Sequence, residues 1–189
     1  MATADPTQPL LAVGTDVADY RVEGFISRGG MAVVYRAHDR RVGRRVALKL
    51  LAPELSQNEQ FQQRFLEESR IAASLDHPNI IPIYESGDAG GLLYIAMRFV
   101  QGDDLKTVLD RDGPLKLPRL ASILGQVGAA LDAAHARGLV HRDVKPGNIL
   151  IASGAGREDS EAAMSVKWRG GSGWLVGRSV PGACRAGGR

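Results

Sequence analysis

One eight-residue segment, His141-Arg-Asp-Val-Lys-Pro-Gly-Asn148, constrains the fold of this 189-residue chain more than any other. It sets an acid, a lysine and an asparagine at fixed spacing, and six of its eight positions define a single specific pattern. Two weaker motifs precede it, Ser27-x-Gly29-x-x-Ala32-x-Val34 and Val46-Ala-Leu-Lys49. Alone, the first would indicate a tight hairpin turn and the second a strand with a solvent-facing lysine. Their occurrence in this order indicates that all three contribute to one site.

Alternating apolar patterns predict five strands in the first half of the chain. They are Tyr20–Ile26, Val33–His38, Arg45–Leu51, Ile80–Glu85 and Leu92–Arg98. On the third strand, the period of two places Ala47 and Lys49 on one face and their neighbours Val46, Leu48 and Leu50 on the other. The lysine therefore shares a face with a small apolar residue.

A helix with a recognisable start follows the third strand. Ser56 and Glu59 have the spacing of a capping box, in which each side chain bonds a free backbone N–H of the first turn. The apolar stripe of this helix comprises Phe61, Phe65, Ala72 and Leu75. Glu68 lies only about 20° from Phe61 around the helix, whereas Glu67 lies about 120° away. We therefore expect Glu68 to face inward and to need a partner, because an unpaired buried carboxylate costs several kcal/mol.

Two more helices are predicted further along the chain. The longer one covers Pro118–Arg137 and stops at Gly138. Its predicted apolar stripe comprises Leu120, Leu124, Val127, Leu131 and Ala134. The shorter one opens at Gly102-Asp-Asp-Leu105, where the Asp103 and Asp104 carboxylates fit a helix N-cap better than a contact with a ribose.

Residues 20–151 resemble the front of a protein kinase domain, specifically that of the bacterial eukaryotic-like serine/threonine kinases. Besides the three motifs, the segments that carry the likeness are Gly29-Gly-Met31, Val33-Val-Tyr-Arg-Ala37, His77-Pro-Asn79 and His135-Ala-Arg-Gly138. The resemblance implies an α+β fold: a five-stranded antiparallel N-lobe sheet with one helix, and an incomplete helical C-lobe. It divides the chain into a flexible leader (1–19), an N-lobe (20–100), a partial C-lobe (101–151) and a non-homologous, disordered tail (152–189).

The resemblance also implies a reaction and a role for each site residue. Asp143 would accept or orient the proton of a substrate hydroxyl, Lys145 would contact the γ-phosphate, and Asn148 would hold Mg²⁺. Lys49 would pair with the α- and β-phosphates of ATP and be held by Glu68. The residues around the nucleotide would be Ile26, Ser27, Gly29, Gly30, Val34, Ala47, Met97, Val100 and Leu150. The implied cofactors are ATP and Mg²⁺, and the implied substrates are proteins with Ser or Thr hydroxyls.

Composition narrows the class of partner and the location. The last 25 residues, 165–189, carry five of the 24 basic residues and none of the 21 acidic ones, so the net charge of +3 comes from the tail. A basic tail is weaker evidence for nucleic-acid binding than a basic folded face, and we do not expect nucleic acid as a partner. A single Cys excludes an internal disulfide framework. With no apolar run long enough to span a membrane and no signal peptide, we expect a cytoplasmic protein.

The sequence departs from the kinase pattern after Asn148. The last of its four Phe residues is Phe99, so no Asp-Phe-Gly motif follows the catalytic loop. The Asp of that motif would coordinate Mg²⁺, so we expect impaired catalysis in this chain. Three interpretations stay open: an ATP-dependent serine/threonine kinase by family, a non-catalytic nucleotide-binding or scaffold fragment, and a truncated product without function.

We expect the residues from about 164 onward to come from a shifted reading frame of a GC-rich gene. Gly, Arg, Ala, Pro and Trp, which have GC-rich codons, dominate residues 165–189. The alternative is a natural short variant with its own tail. Sequencing the locus distinguishes them, since the first requires another frame that encodes Asp-Phe-Gly and further kinase helices.

Overall fold

The computed structural model of the chain describes residues 11–29, 32–53, 56 and 58–152, together with the backbone of 162–164. The first ten residues of the predicted leader, Gly30 of the predicted nucleotide site, and most of the predicted tail lie outside the described residues. Within the described part, no helix is long and apolar enough to cross a membrane.

The upper lobe is one antiparallel sheet of six strands, where the sequence predicted five. In chain order the strands are β1 (Asp16–Val17), β2 (Tyr20–Arg28), β3 (Ala32–Asp39), β4 (Arg44–Leu51), β5 (Ile83–Asp88) and β6 (Leu93–Arg98). Their order across the sheet is β1-β2-β3-β4-β6-β5. The extra strand, β1, lies within the predicted flexible leader, and its Val17 is buried. Two residues are too few for an alternating pattern to reveal, which is why the strand was missed.

The lower lobe combines helices with a small second sheet. Its elements are β7 (Gly102–Asp104), α2 (Leu105–Asp112), α3 (Leu117–His135), β8 (Ile149–Ala152) and β9 (Ala162–Met164), while α1 (Glu59–Ala73) belongs to the upper lobe. The second sheet has the order β7-β8-β9. Since β9 pairs with β8, residues 162–164, which lie within the predicted tail, are part of this sheet.

The upper sheet curls until its two ends meet. Tyr20 lies on β2, next to the edge strand β1, and Glu85 lies on the opposite edge strand β5, yet the Tyr20 hydroxyl donates to Glu85 Oε2 at 2.8 Å. Tyr94 of β6 donates to Glu85 Oε1 at 2.8 Å, and its ring meets that of Tyr20 edge to face at 5.8 Å. Burial and the neighbouring Glu85 carboxylate raise the pKa of Tyr94 to about 12, so its hydroxyl stays a hydrogen-bond donor at neutral pH. Glu85 therefore closes the sheet around its apolar core.

Arginines in the β3–β4 turn and at the start of β4 form further contacts that support this closure. Arg40 pairs with Asp16 at 3.3 Å beside β1, and Arg41 reaches Glu85 on β5 at 3.0 Å. The Arg44 guanidinium lies 3.5 Å from the ring centre of Tyr84, also on β5. Each such contact is worth at most about 1 kcal/mol on an exposed surface. Together they connect both ends of the sheet to one turn.

Two helix predictions need correction in detail. The first helix is capped by Asn58, whose side chain accepts from the N–H of Phe61 at 3.0 Å, and not by Ser56. In the third helix, the buried residues are Ile123, Val127, Ala130 and Ala134, whereas Leu124 is 57% exposed. Of the predicted stripe, Val127 and Ala134 are buried and Leu131 is partly buried against the same cluster. The Asp104 prediction is confirmed, because its carboxylate caps α2 through the N–H of Thr107 at 3.0 Å.

Substitution of Gly87 on β5 tests whether the hydrogen bonds of Glu85 that close the sheet contribute to stability. A Cβ at this position would lie 2.9 Å from the Tyr94 hydroxyl and 3.1 Å from two of its ring atoms. Because that ring is buried and its hydroxyl is bound to Glu85, Gly87→Ala should lower the free energy of unfolding by about 1–3 kcal/mol, measured by urea denaturation. Gly125→Ala is the matched control, since its Cβ would meet nothing within 4 Å on a helix, and it should leave stability equal or higher. Equal stability of Gly87→Ala and wild type would contradict this role of the closure.

Candidate active site

The central strand β4 brings the predicted lysine and the predicted apolar residues onto one face of the sheet. Lys49 is directly opposite Val34 on β3 and Ile95 on β6, and Ala47 is opposite Met97. Directly opposed residues of an antiparallel pair have their side chains on the same face at close distance. Lys49 is only 7% exposed, so its side chain is largely buried on this face.

An apolar cluster continues from this face into the lower lobe. Met97 is buried in the cluster, and Ala47, Val100 and Leu150 are half-buried against it. Val100 lies in the segment that joins the lobes, and Leu150 lies on β8. The structure thus brings together apolar residues from three separate parts of the chain, as the sequence predicted.

The predicted phosphate-binding turn begins at the edge of this face. Ser27 is opposite Val34 across the β2–β3 pair, and Ile26, Ser27 and Gly29 are exposed. The N–H of Gly29 donates to the carbonyl of Ala32 at 2.8 Å, so the two sides of the turn are hydrogen-bonded to each other at its start. Ser27 therefore lies in register with Val34, which in turn is opposite Lys49.

The predicted catalytic loop holds one carboxylate between two side chains. The Lys145 ammonium lies 3.1 Å from Asp143 Oδ1, and the Asn148 amide nitrogen donates to Asp143 Oδ2 at 3.1 Å and to its carbonyl at 2.6 Å. Asn148 is buried in a single turn of 3-10 helix, Pro146–Asn148, whereas the Asp143 side chain stays 18% exposed. The Asp143 carboxylate is thus held by two side chains and remains partly exposed.

Two preceding residues shape the loop. His141 is buried, and its Nδ1 accepts from the backbone N–H of Asp143 at 3.3 Å. Arg142 has φ of 57°, a left-handed conformation that costs a non-glycine residue about 1–3 kcal/mol. The bend at Arg142 turns the chain between the buried His141 and the half-buried Asp143.

The oxygen atoms at this loop suit a hard divalent cation. Because the Asn148 nitrogen is used by Asp143, its amide oxygen remains for another contact, next to the Asp143 carboxylate. Amide and carboxylate oxygens are the ligands that Mg²⁺ prefers. The residues present therefore fit the implied Mg²⁺, with Asn148 as the one ligand that the sequence predicted.

The connection between the lobes is held against β8 by a close backbone contact. Gly102 is opposite Ala152, and a Cβ on Gly102 would overlap the carbonyl oxygen of Ile151. Only glycine allows the chain to pass here. The contact fixes where the segment after Val100 lies relative to Leu150.

The predicted pairing of Glu68 with Lys49 is not present. Glu68 is half-buried and Glu67 is exposed, as the helical stripe predicted, but no ion pair joins Glu68 to Lys49 among the residues that the structure describes. Burial raises the pKa of Glu68 to about 7, and the guanidinium groups of Arg64 and Arg142 partly oppose this rise. Its charged neighbours therefore lie on its own helix and on the catalytic loop.

Sequence reasoning missed contacts that support the site from outside the motifs. Ile95 on β6 lies opposite Lys49 on β4. The alternating pattern of β6 could have indicated that Ile95 shares a face with Lys49. The hydrogen bond from Asn79 to Gln126, at 2.9 Å, joins residues 47 positions apart. No local pattern could have predicted that pair.

The raised pKa of Glu68 predicts a pH dependence of stability. The folded state holds its proton more tightly than the unfolded state, so this contribution to stability is complete below about pH 4.5 and is lost as the pH rises through about 7. Glu68→Gln should reduce the loss of stability between pH 5 and pH 8 in urea denaturation, with Glu67→Gln, on the exposed face, as the control. The same pH dependence of stability in wild type and Glu68→Gln would contradict this role of Glu68.

Comparisons with known proteins identify a family for this chain. Residues 20–158 match the model of the protein kinase domain, so the similarity runs past the predicted boundary at 151. Serine/threonine-protein kinase PknE of Mycobacterium bovis is 46% identical over 140 residues, which are 74% of this chain and 25% of that protein. PknJ of the same organism is 42% identical over 149 residues, 79% of this chain and 25% of that protein.

A solved structure shows the same fold. The kinase domain of Mycobacterium tuberculosis PknI superposes with a TM-score of 0.71 at 35% identity, covering 82% of this chain and 62% of that chain. The chain spans about a quarter of the length of the curated relatives that it matches. On the match of its domain model and on this shared fold, the chain belongs to the protein kinase family.

Proposed function

We propose that this chain binds ATP with Mg²⁺ in the cleft between its lobes and transfers the γ-phosphoryl group to Ser or Thr hydroxyls of proteins. The arrangement of Asp143 between Lys145 and Asn148 is the observation that carries this proposal. In such a transfer the substrate oxygen forms a bond to phosphorus, the bond from phosphorus to the β–γ bridging oxygen breaks, and ADP leaves. The serine or threonine class of acceptor follows from the named relatives.

Each side chain of the loop has a part in this chemistry. The Asp143 carboxylate orients the hydroxyl and takes up its proton, which requires an acceptor within hydrogen-bond reach of the cleft. The Lys145 ammonium, 3.1 Å from that carboxylate, compensates charge on the transferred group. Asn148 holds the Mg²⁺, which when bound neutralises phosphate charge.

The nucleotide contacts follow from the face of β4. Val34, Ala47, Met97 and Leu150 form apolar walls for adenine, and Val100 lies beside them in the segment between the lobes. The Lys49 ammonium binds the α- and β-phosphates, since a buried cation gains most from a charged partner. Ile26, Ser27 and Gly29 lie at the start of a turn above the phosphates, where small residues let backbone N–H groups approach. We propose the same role for Gly30, which lies outside the described residues.

The partners proposed are ATP and proteins, without nucleic acid. Because this reaction consumes ATP, we place it in the cytoplasm, where ATP is supplied.

A second candidate is a nucleotide-binding or scaffold protein without turnover. Two observations favour it: residues 149–189 contain no Asp-Phe-Gly, and Glu68 does not pair with Lys49 in the structure. A chain of this kind would keep affinity for ATP and lose phosphoryl transfer. A product without function would show neither.

Substitution of Asp143 separates these candidates. Asp143→Asn keeps the size of the side chain and removes its charge, so phosphoryl transfer from radiolabelled ATP to a generic protein substrate should fall by about 10²–10⁴-fold. ATP binding should be unchanged by Asp143→Asn and weakened about 10-fold or more by Lys49→Ala, because a charge-assisted contact is lost. Asp132→Asn, an exposed acid on α3, is the matched control and should change neither.

Other outcomes distinguish the alternatives. Binding that depends on Lys49 without transfer would overturn the kinase proposal in favour of the second candidate. The absence of both ATP binding and transfer in the wild type would overturn both proposals and leave a product without function.

A further inference from the structure

The helix α3 carries a second apolar row beside the one that it buries. The buried row comprises Ile123, Val127, Ala130 and Ala134. The second row follows the spacing of four and three residues that keeps side chains on one helix face, and it comprises Leu117, Ala121, Leu124, Gly128 and Leu131. The centres of the two rows are about 110° apart around the helix. Because the second row contains no polar side chain, it lacks the composition of a face that meets water.

Much of this second row is open within the part of the chain that the structure describes. Leu117 is 76% exposed, and Leu124 is 57% exposed. A Cβ built on Gly128 would meet nothing within 4 Å, so the space beside the leucines is open as well. Leaving a leucine side chain in water forgoes about 1.5–3 kcal/mol relative to burying it. A cover over this row would therefore stabilise the chain.

The part of the chain that follows β9 starts beside this helix. The strand β9 pairs with β8 and also lies against α3. Residues 165–176 continue from β9 and lie outside the described residues. This segment has no acidic residue, and it contains five large apolar residues, namely Val166, Trp168, Trp174, Leu175 and Val176.

The segment is long enough to reach the second row. An extended chain covers about 3.3 Å per residue, so Trp168 can lie about 13 Å from Met164. A helix with its side chains is about 10–12 Å across, which is less than this reach. Every face of α3 near β9 is therefore accessible to the segment.

We propose that residues 165–176 pack on the second row of α3, with their Trp side chains against Leu117 and Leu124. A buried Trp removes about 150–250 Å² from water, and the small residues Ala121 and Gly128 leave room between the leucines for a ring. A second copy of the chain would have to bind from solution, whereas a tethered segment is present at an effective concentration of about millimolar order. The tether therefore favours the segment as the occupant. The proposal does not involve the nucleotide site.

Tryptophan fluorescence of the full chain tests this contact, because both Trp residues of the chain lie in the segment. We expect the emission to be blue-shifted, and quenching by acrylamide to be weaker, relative to a free peptide of residues 165–176. In Leu124→Asp, a charge on the row would have to be buried without a partner, so the segment should be released. Emission and quenching should then equal those of the free peptide.

Ala129→Asp is the matched control, because it places the same charge on α3 at an exposed position outside the row. Its emission should equal that of the wild type, and circular dichroism checks that the helices are kept in each variant. If Leu124→Asp does not fold, Leu124→Ala takes its place and should give a smaller red shift. Wild-type emission equal to that of the free peptide would overturn the proposal. So would an equal red shift in Ala129→Asp, or no red shift in the Leu124 variant that folds.

A double-mutant cycle tests whether the Trp residues and Leu124 contact each other. Replacing Trp168 and Trp174 by Ala should lower the midpoint of urea denaturation, and should lower it less in a Leu124→Ala background, because contacting residues are not additive. Equal decreases in both backgrounds would overturn the contact.

Sedimentation of the full chain identifies the alternative occupant. A monomer, with an emission that does not change on dilution, is expected. A dimer whose dissociation shifts the emission to the red would overturn the contact within one chain in favour of an interface between two copies.

Discussion

The register of β4 between β3 and β6 is the constraint on which the candidate site depends. It sets Lys49 against Val34 and Ile95, and Ala47 against Met97. A slip of one residue would move every side chain of the strand to the opposite face. The leucines that alternate with Lys49 fill the core of the curled sheet, so the burial of that core holds the lysine on the cleft side.

The sheet and the end of α1 are held in place by different contacts. The sheet is closed by Glu85, which accepts from Tyr20 and Tyr94, and by the arginines of the β3–β4 turn. The last turn of α1 is instead attached to the lower lobe through Ser74 and Asn79. α1 therefore contacts both lobes, since its Phe65 is also buried in the apolar cluster of the upper sheet.

Much of the fold followed from local patterns, and the errors have identifiable physical causes. The strands around Lys49 are long and alternate clearly, so the sheet was predicted apart from β1, which has only two residues. On α3 the sequence offers two overlapping apolar stripes, and helical periodicity alone does not choose between Ile123 and Leu124. Similarly, Ser56 and Asn58 are both good caps, and the structure uses Asn58, while the Ser56 hydroxyl accepts from the N–H of Leu93 at 3.5 Å.

Local spacing was enough to predict the catalytic loop, because Asp143, Lys145 and Asn148 lie within six residues and their contacts are local. It also determined that Glu68 faces inward and Glu67 outward, since helical geometry fixes the face of each side chain. Which charges Glu68 reaches depends on the tertiary fold, because Arg142 lies on the catalytic loop, far along the chain, and no local spacing encodes its approach to α1.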